Sequence, residues 1–140
     1  MTEQGRTEGI RQGVAAPAKG HVPLVAVVMD DEGFRESTQM LLSIQGIRSA
    51  PYSAASAFLD DFDRLDCAAA ICSLYDSRSI LLFHQELRRR SATLPLVVMY
   101  EDDHIKAELS PETSQAVTLI ETPCSADDLL DTIAKILGDQ

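Results

Sequence analysis

Short apolar runs alternate with stretches of helical spacing along most of this chain, and that alternation limits the folds open to it. Leu24-Val25-Ala26-Val27-Val28-Met29 contains no polar residue, as a strand covered on both faces requires. Phe34 to Ile44 follows with Phe34, Ser37, Leu41 and Ile44 at helical spacing. Ile47 to Tyr52 reads as a short, half-polar strand, and Ser53 is placed to cap a second helix running through Phe58 and Leu59. Cys67 to Cys72 is a third apolar run. Its alanines favour no strand, so its place between two helical stretches decides the assignment. Ile80 to Arg90 reads as a helix, Leu94 to Tyr100 as a strand and Val117 to Ile120 as a fifth strand. Ser125 to Leu137 reads as a last helix, capped by Ser125, with Asp127 and Asp128 at its positive end. Five strands with intervening helices imply right-handed crossovers and one parallel sheet with helices on both faces. Sites in such sheets lie at the carboxyl ends of the strands. Here those ends are Met29-Asp30-Asp31, Cys72-Ser73, Tyr100-Glu101 and Thr122-Pro123.

The first 22 residues carry Gly5, Gly9, Gly13, Gly20 and Pro17 with no apolar period, so a flexible tail (1–22) ahead of one domain (23–140) is expected. The tail has a net charge of +1 within a chain of net charge −10, so the acidity belongs to the domain. An acidic domain repels nucleic acid phosphate and anionic lipid, and neither is an expected partner. No run approaches the roughly 18 apolar residues of a membrane span, and no secretory leader pattern is present, so the cytoplasm is the expected compartment. Cys67, Cys72 and Cys124 are too few and too scattered for a disulfide framework or a zinc ribbon. Arg88-Arg89-Arg90 falls where a helix should end, as a cationic last turn complementing the helix dipole. His21, His84 and His104 pair with no cysteine at metal-ligand spacing.

Several segments together resemble the CheY-like receiver domain of two-component response regulators over roughly residues 23 to 138. They are Val27-Val28-Met29-Asp30-Asp31-Glu32 leading to Arg35-Glu36-Ser37, Tyr52 to Leu59, Leu94 to Met99, and Ala116-Val117 to Ile120-Glu121-Thr122-Pro123. The wording is closest to receivers that precede LuxR-type DNA-binding domains. The resemblance implies a five-stranded (βα)5, flavodoxin-like fold. It also implies an aspartate after the third strand that accepts phosphoryl from a histidine kinase, and an acidic pair after the first strand that holds Mg2+. A Ser or Thr after the fourth strand and a Lys before a proline after the fifth would bind the phosphoryl oxygens. An aromatic on the fifth strand would report the state.

This sequence departs from that pattern at most of these positions, although Pro123 and one acid of the pair, Asp30, remain. Cys72 falls at the phospho-acceptor position, Tyr100 at the Ser/Thr position, Thr122 at the Lys position and Leu119 at the aromatic-switch position. Counting back from Arg35 puts Met29 and Asp30 at the acidic pair, so one acid is missing and Asp30 and Asp31 form a vestigial site. Helix capping is the plainer role for Asp30, Asp31 and Glu32. Pro111 interrupts the span of the family's fourth helix, which is expected to be short or broken.

These departures lead to an expectation of a phosphorylation-independent pseudo-receiver. It would be no enzyme, hold no cofactor and bind a protein partner such as a histidine kinase, another signalling protein or a second copy. Two alternatives stand beside it. In one, Asp76 is a displaced phosphoryl acceptor working with Mg2+ at Asp30 and Asp31. In the other, Cys72 is a redox switch, paired with Cys124 because the third- and fifth-strand ends are expected to be neighbours.

Overall fold

The computed structural model describes residues 24–101 and 116–138. The expected tail and the span around Pro111, including the family's fourth helix, lie outside the described residues. Five strands form one parallel sheet: β1 (Leu24–Met29), β2 (Arg48–Tyr52), β3 (Ala69–Ser73), β4 (Leu96–Tyr100) and β5 (Val117–Glu121). Their order is β2-β1-β3-β4-β5. The chain steps outward from β1 to β2 and then back across β1 to β3. That reversal opens a crevice at the carboxyl ends of the strands, between β1 and β3.

Strict alternation divides the sheet residues between two cores. Ala26, Val28, Ala70, Cys72, Leu96, Val98 and Tyr100 face one layer, formed by α2 (Ala55–Asp61) and α3 (Ser77–Arg90) through Phe58, Ile80, Phe83 and Leu87. Val25, Val27, Met29, Ala69, Ile71, Val97 and Met99 face the other. That layer is α1 (Glu32–Ile44) through Leu42 and α4 (Ala126–Gly138) through Leu129 and Ile133. Ile133 is fully buried, and Ile136 and Leu137 pack beside it, so the apolar stripe of α4 belongs to the core. The edge strand β2 is the polar one, and it carries Pro51 where a missing N–H is tolerated.

The helix ends explain the segment boundaries. Asp31 caps α1 by accepting from the Phe34 N–H at 2.8 Å, so the helix opens two residues before Phe34. The helix closes in a Schellman turn: Gly46 N–H donates to Ser43 O and Ile47 N–H to Leu42 O, with Gly46 at φ 76°. Ser125 caps α4, accepting from Asp128 N–H at 3.0 Å. Asp76 caps α3, accepting from Ser79 N–H at 2.7 Å.

Two expectations need correction. Ser53 does not cap α2; the cap position is Ala54, which has no side chain able to do so, and α2 starts at Ala55. The third strand runs from Ala69 to Ser73 rather than from Cys67 to Cys72. Its entry is set by Ala68 N–H donating to Leu24 O at 2.8 Å.

Arg88 does more than complement the α3 dipole. Its guanidinium donates to the carbonyls of Ser91, Leu94 and Ala116, tying the end of α3 to the entries of β4 and β5. Among the described residues no helix is long and apolar enough to cross a membrane.

Candidate functional site at the strand ends

A cleft opens over the carboxyl edge of the sheet. Asp30, Asp31 and Phe34 border it from β1 and the start of α1, and Ser73 to Ser77 from β3 and the following loop. Met99, Tyr100 and Glu101 border it from β4, and Thr122, Pro123 and Cys124 from β5. The structure places Asp30, Asp31, Asp76, Tyr100 and Thr122 around one cleft, although the sequence put Asp76 on a loop away from Asp30. It does not bring Cys72 or Leu119 to the cleft.

Cys72 sits in register with Val28 and Val98 and is fully buried against the α2–α3 layer. Burial, with a smaller contribution from the Asp30 charge, pushes its thiol up to about 12. The β3 residue that borders the cleft is Ser73, half-buried and paired with Met29. Sequence reasoning passed over it because the Cys67–Cys72 run was taken to end the strand one residue early. Ser73 lies level with Met29 and one residue nearer the strand end than Cys72, which is paired with Val28 deeper in the sheet.

Leu119 pairs with Val98 and packs half-buried on the α2–α3 core. Met29, where the first acid of the pair was expected, is buried on the opposite face; its sulfur accepts the Thr38 hydroxyl at 3.6 Å. Its carbonyl accepts from Arg35 Nη1 at 2.8 Å, which occupies that arginine at the base of α1.

The remaining site residues have local structural partners. Asp30 Oδ2 accepts from Tyr75 N–H at 3.0 Å, joining the β1 end to the loop after β3. Asp31 and Asp76 are the helix caps described above. Thr122 is tied to the end of β4: its N–H and its hydroxyl both donate to Tyr100 O, at 2.8 and 3.1 Å. Tyr100 is 7% exposed, with its body among Cys72, Ile80 and Phe83.

Four carboxylates border the cleft, on Asp30, Asp31, Asp76 and Glu101, and no Lys, Arg or His stands among the described residues that line it. Mg2+ would require a near-octahedral oxygen shell. Among the described residues no three His, Cys, Asp or Glu side chains converge as ligands. With Met29 facing the core and a serine, not an acid, beside it at the end of β3, the described residues do not fit that ion.

The two cysteines proposed as a redox pair lie apart. β4 stands between β3 and β5, which corrects the expectation that their ends are neighbours. Cys72 faces the α2–α3 layer, while Cys124 packs with the α1–α4 layer. Both are free thiols, and burial followed by the Asp128 charge raises Cys124 as well.

A doubly covered parallel sheet in the order 2-1-3-4-5, with its cleft at the strand ends, is the flavodoxin-like arrangement that response regulator receiver domains share. Among solved structures, the chain is similar to the Vibrio cholerae chemotaxis protein CheY4 crystallised at low pH, with 15% identity and a TM-score of 0.74 over 84% of this chain and all of that one. It is similar to FixJ-N at 20% identity and TM-score 0.74, covering 86% of this chain and 97% of that one. A response regulator receiver domain protein from Clostridium thermocellum matches at 16% identity and TM-score 0.74, over 84% and 96% of the two chains. At these identities the likeness is one of fold. No family model matches the sequence, and no curated protein matches it.

Proposed function

We propose that this chain is a phosphorylation-independent pseudo-receiver, a non-enzymatic module that works in two-component signalling by contact with a protein partner. The observation that carries this reading is the charge balance of the cleft. A phosphoryl dianion arriving there would meet four carboxylates and no cation among the described lining residues, with a serine hydroxyl in place of a carboxylate at the end of β3. Phosphoryl transfer depends on positive charge that meets the developing anion, and this edge supplies negative charge instead. A histidine kinase, another signalling protein or a second copy of the chain is the partner in view.

The alternative acceptor, Asp76, is held in a structural role as the cap of α3. A redox role for Cys72 is disfavoured because a fully buried thiol pushed up to about 12 is almost entirely protonated at neutral pH.

Intact-mass measurement after incubation with acetyl phosphate and Mg2+ tests the proposal, with a phosphorylatable receiver run alongside as a control. The expected result is an unchanged mass. A stoichiometric phosphate adduct would overturn it, and loss of that adduct in D76N would assign the acceptor.

A further inference from the structure

We infer that the outward face of α1 is a contact surface for a second copy of this chain, with the two α1 helices packed antiparallel about a two-fold axis. The inference goes beyond the pseudo-receiver reading and does not depend on the charge balance of the cleft.

The first observation is a second stripe on a helix that already has a buried one. α1 turns Thr38 and Leu42 into the core. Met40 and Ile44 nevertheless face solvent, at 64% and 70% exposure. Gly33 and Ser37 continue the same line toward the start of the helix, and both are exposed. The steps from Gly33 to Ser37, Met40 and Ile44 are four, three and four residues, the spacing of a seam along which two helices meet side by side. Large apolar side chains gathered on one exposed line mark a contact surface.

The second observation is Gly33 itself. Glycine in an exposed helical turn weakens the helix relative to alanine. The fold does not call for it here, because Gly33 is outside the left-handed region that Gly46 occupies. A Cβ at Gly33 would meet nothing nearer than Asp31 Oδ2 at 3.7 Å, an ordinary contact. What the glycine supplies is room on the outer face of the helix.

The third observation identifies the occupant. The small residues fill the first half of the seam and the large ones the second half. In an antiparallel pair, Ile44 meets Gly33 of the second copy and Met40 meets its Ser37, so each large side chain has space opposite. A parallel pair would set Ile44 on Ile44 and leave a gap between the two glycines. Charge selects the same arrangement. Glu32 and Glu36 are exposed at the start of α1 and Arg48 is exposed just beyond its end, and none of the three takes part in an ion pair among the described residues. Arg48 borders a shallow groove with Met40 and Ser43, which puts it on the same surface as the seam. Glu32, Glu36 and Gln39 follow one flank of the helix, the flank that Gln39 joins to β2 by donating to Ser49 Oγ at 3.3 Å. A two-fold axis keeps like flanks together, so the acids of one copy face Arg48 of the other. Opposed helix dipoles add to that attraction.

The seam spans about 17 Å, at about 1.5 Å per residue. It is short for an interface, so the expected dissociation constant is on the order of tens of micromolar. The test is sedimentation equilibrium of the full chain over concentrations that bracket that value. The expected average mass rises from the 15.3 kDa of one copy toward twice that figure. G33Q fills the space with a good helix former and should leave the chain monomeric throughout. R48E and E32R each turn two symmetry-related pairs from attraction to repulsion, and each should weaken the dimer about tenfold. The double variant E32R/R48E restores opposite charges across the axis and should recover the wild-type constant to within about threefold. All three positions are exposed, and circular dichroism checks that each variant keeps its fold. A wild-type chain that stays monomeric overturns the inference, whether the chain's own tail or an unlike helix covers the seam. So does a dimer that G33Q leaves intact, or a double variant no tighter than its single parents. The acetyl phosphate experiment is read separately: a phosphate adduct on a dimeric chain sinks the pseudo-receiver proposal alone, and an unlabelled monomer sinks this one alone.

Discussion

A row of residues crosses the sheet in register, Val28, Cys72, Val98 and Leu119, and its first three members are fully buried. One to three residues further along the chain from these stand Asp30, Ser73, Tyr100 and Thr122, all bordering the cleft. The row keeps the apolar character that any doubly covered parallel sheet needs. The rim instead presents a serine, a tyrosine and a threonine beside its carboxylates. Packing and surface chemistry are thus set by different residues. A single step along β3 separates the two regions.

The sharpest way to break that comparison is to place the same carboxylate on each side of the step. C72D puts an acid in the α2–α3 core with no partner. A fully buried carboxyl is raised by about 3–5 pKa units, and because pH 7 lies only about 3 units above the unfolded carboxyl's pKa, the loss at neutral pH is roughly 4 kcal/mol. The sign follows from the raised folded-state value: the loss is small below about pH 4, grows as pH rises past the unfolded carboxyl's pKa, and levels off above the folded one. S73D adds a carboxylate to a solvated rim and is expected to cost less than about 1 kcal/mol. Urea unfolding of both variants from pH 4 to pH 8 measures the difference. Equal losses would mean that Cys72 and Ser73 do not occupy distinct environments.

Within the core, F58A should cost about 3–5 kcal/mol. Phe58 is fully buried and packs its ring against Tyr52, Phe62 and Phe83, with centroids 5.5–5.8 Å apart. Chemical denaturation reads this loss directly. Truncating Tyr75 at the rim should leave stability nearly unchanged, since its side chain is mostly exposed.

The sheet was legible in the sequence because unbroken apolar runs such as Leu24–Met29 and Leu96–Tyr100 have few other uses in a chain of this length. The last helix was legible for a similar reason, since Leu129 and Ile133 recur at the spacing of one buried face; on α1 the expected stripe missed, because Thr38 and Leu42 are buried while Ile44 is 70% exposed. Asp31 and Ser125 carry their cap signal in their own side chains. The boundary of β3 was not legible, because Ala68, Ala69 and Ala70 have no preference that marks a strand's start; a backbone bond from Ala68 to Leu24 does so instead. That one-residue uncertainty moved the expected site from Ser73 to Cys72. The Asp30 to Tyr75 bond was also out of reach, since it joins residues 45 apart through a loop whose path depends on the finished sheet.

The Cys72 thiol offers a third test, through its ionisation. With the thiol raised from 9.0 to about 12, its stabilising neutral form is fully present below pH 9 and is lost as pH rises toward 12. The expected cost from this group is about 2 kcal/mol at pH 10.5, half-way through the window. Tyrosines titrate over the same range, so the measurement is the difference between the wild type and C72A: the alanine variant should show a shallower fall between pH 9 and pH 10.5. In the native protein at pH 8, iodoacetamide should modify the half-buried Cys67 and Cys124 before Cys72. Early alkylation of Cys72 would place it at the rim after all.

The smallest expected effect lies at the start of α2. Ala54 occupies the cap position with extended backbone, φ −145° and ψ 144°, and no side-chain acceptor. Asp31, Asp76 and Ser125 fill the corresponding role on the other described helices. A54S should therefore stabilise the chain by about 0.5–1 kcal/mol, because the hydroxyl can accept an N–H of the first turn without moving any packed group. Its Ala54 neighbourhood is exposed, so no steric cost opposes the gain. Converting Ser125 to Ala should lose about the same amount, as a helix cap that is already in place is removed. Thermal unfolding of the two variants would give shifts of opposite sign. A loss in A54S would mean that α2 is held by its contacts through Phe58 alone, with its first turn contributing nothing that a cap can improve.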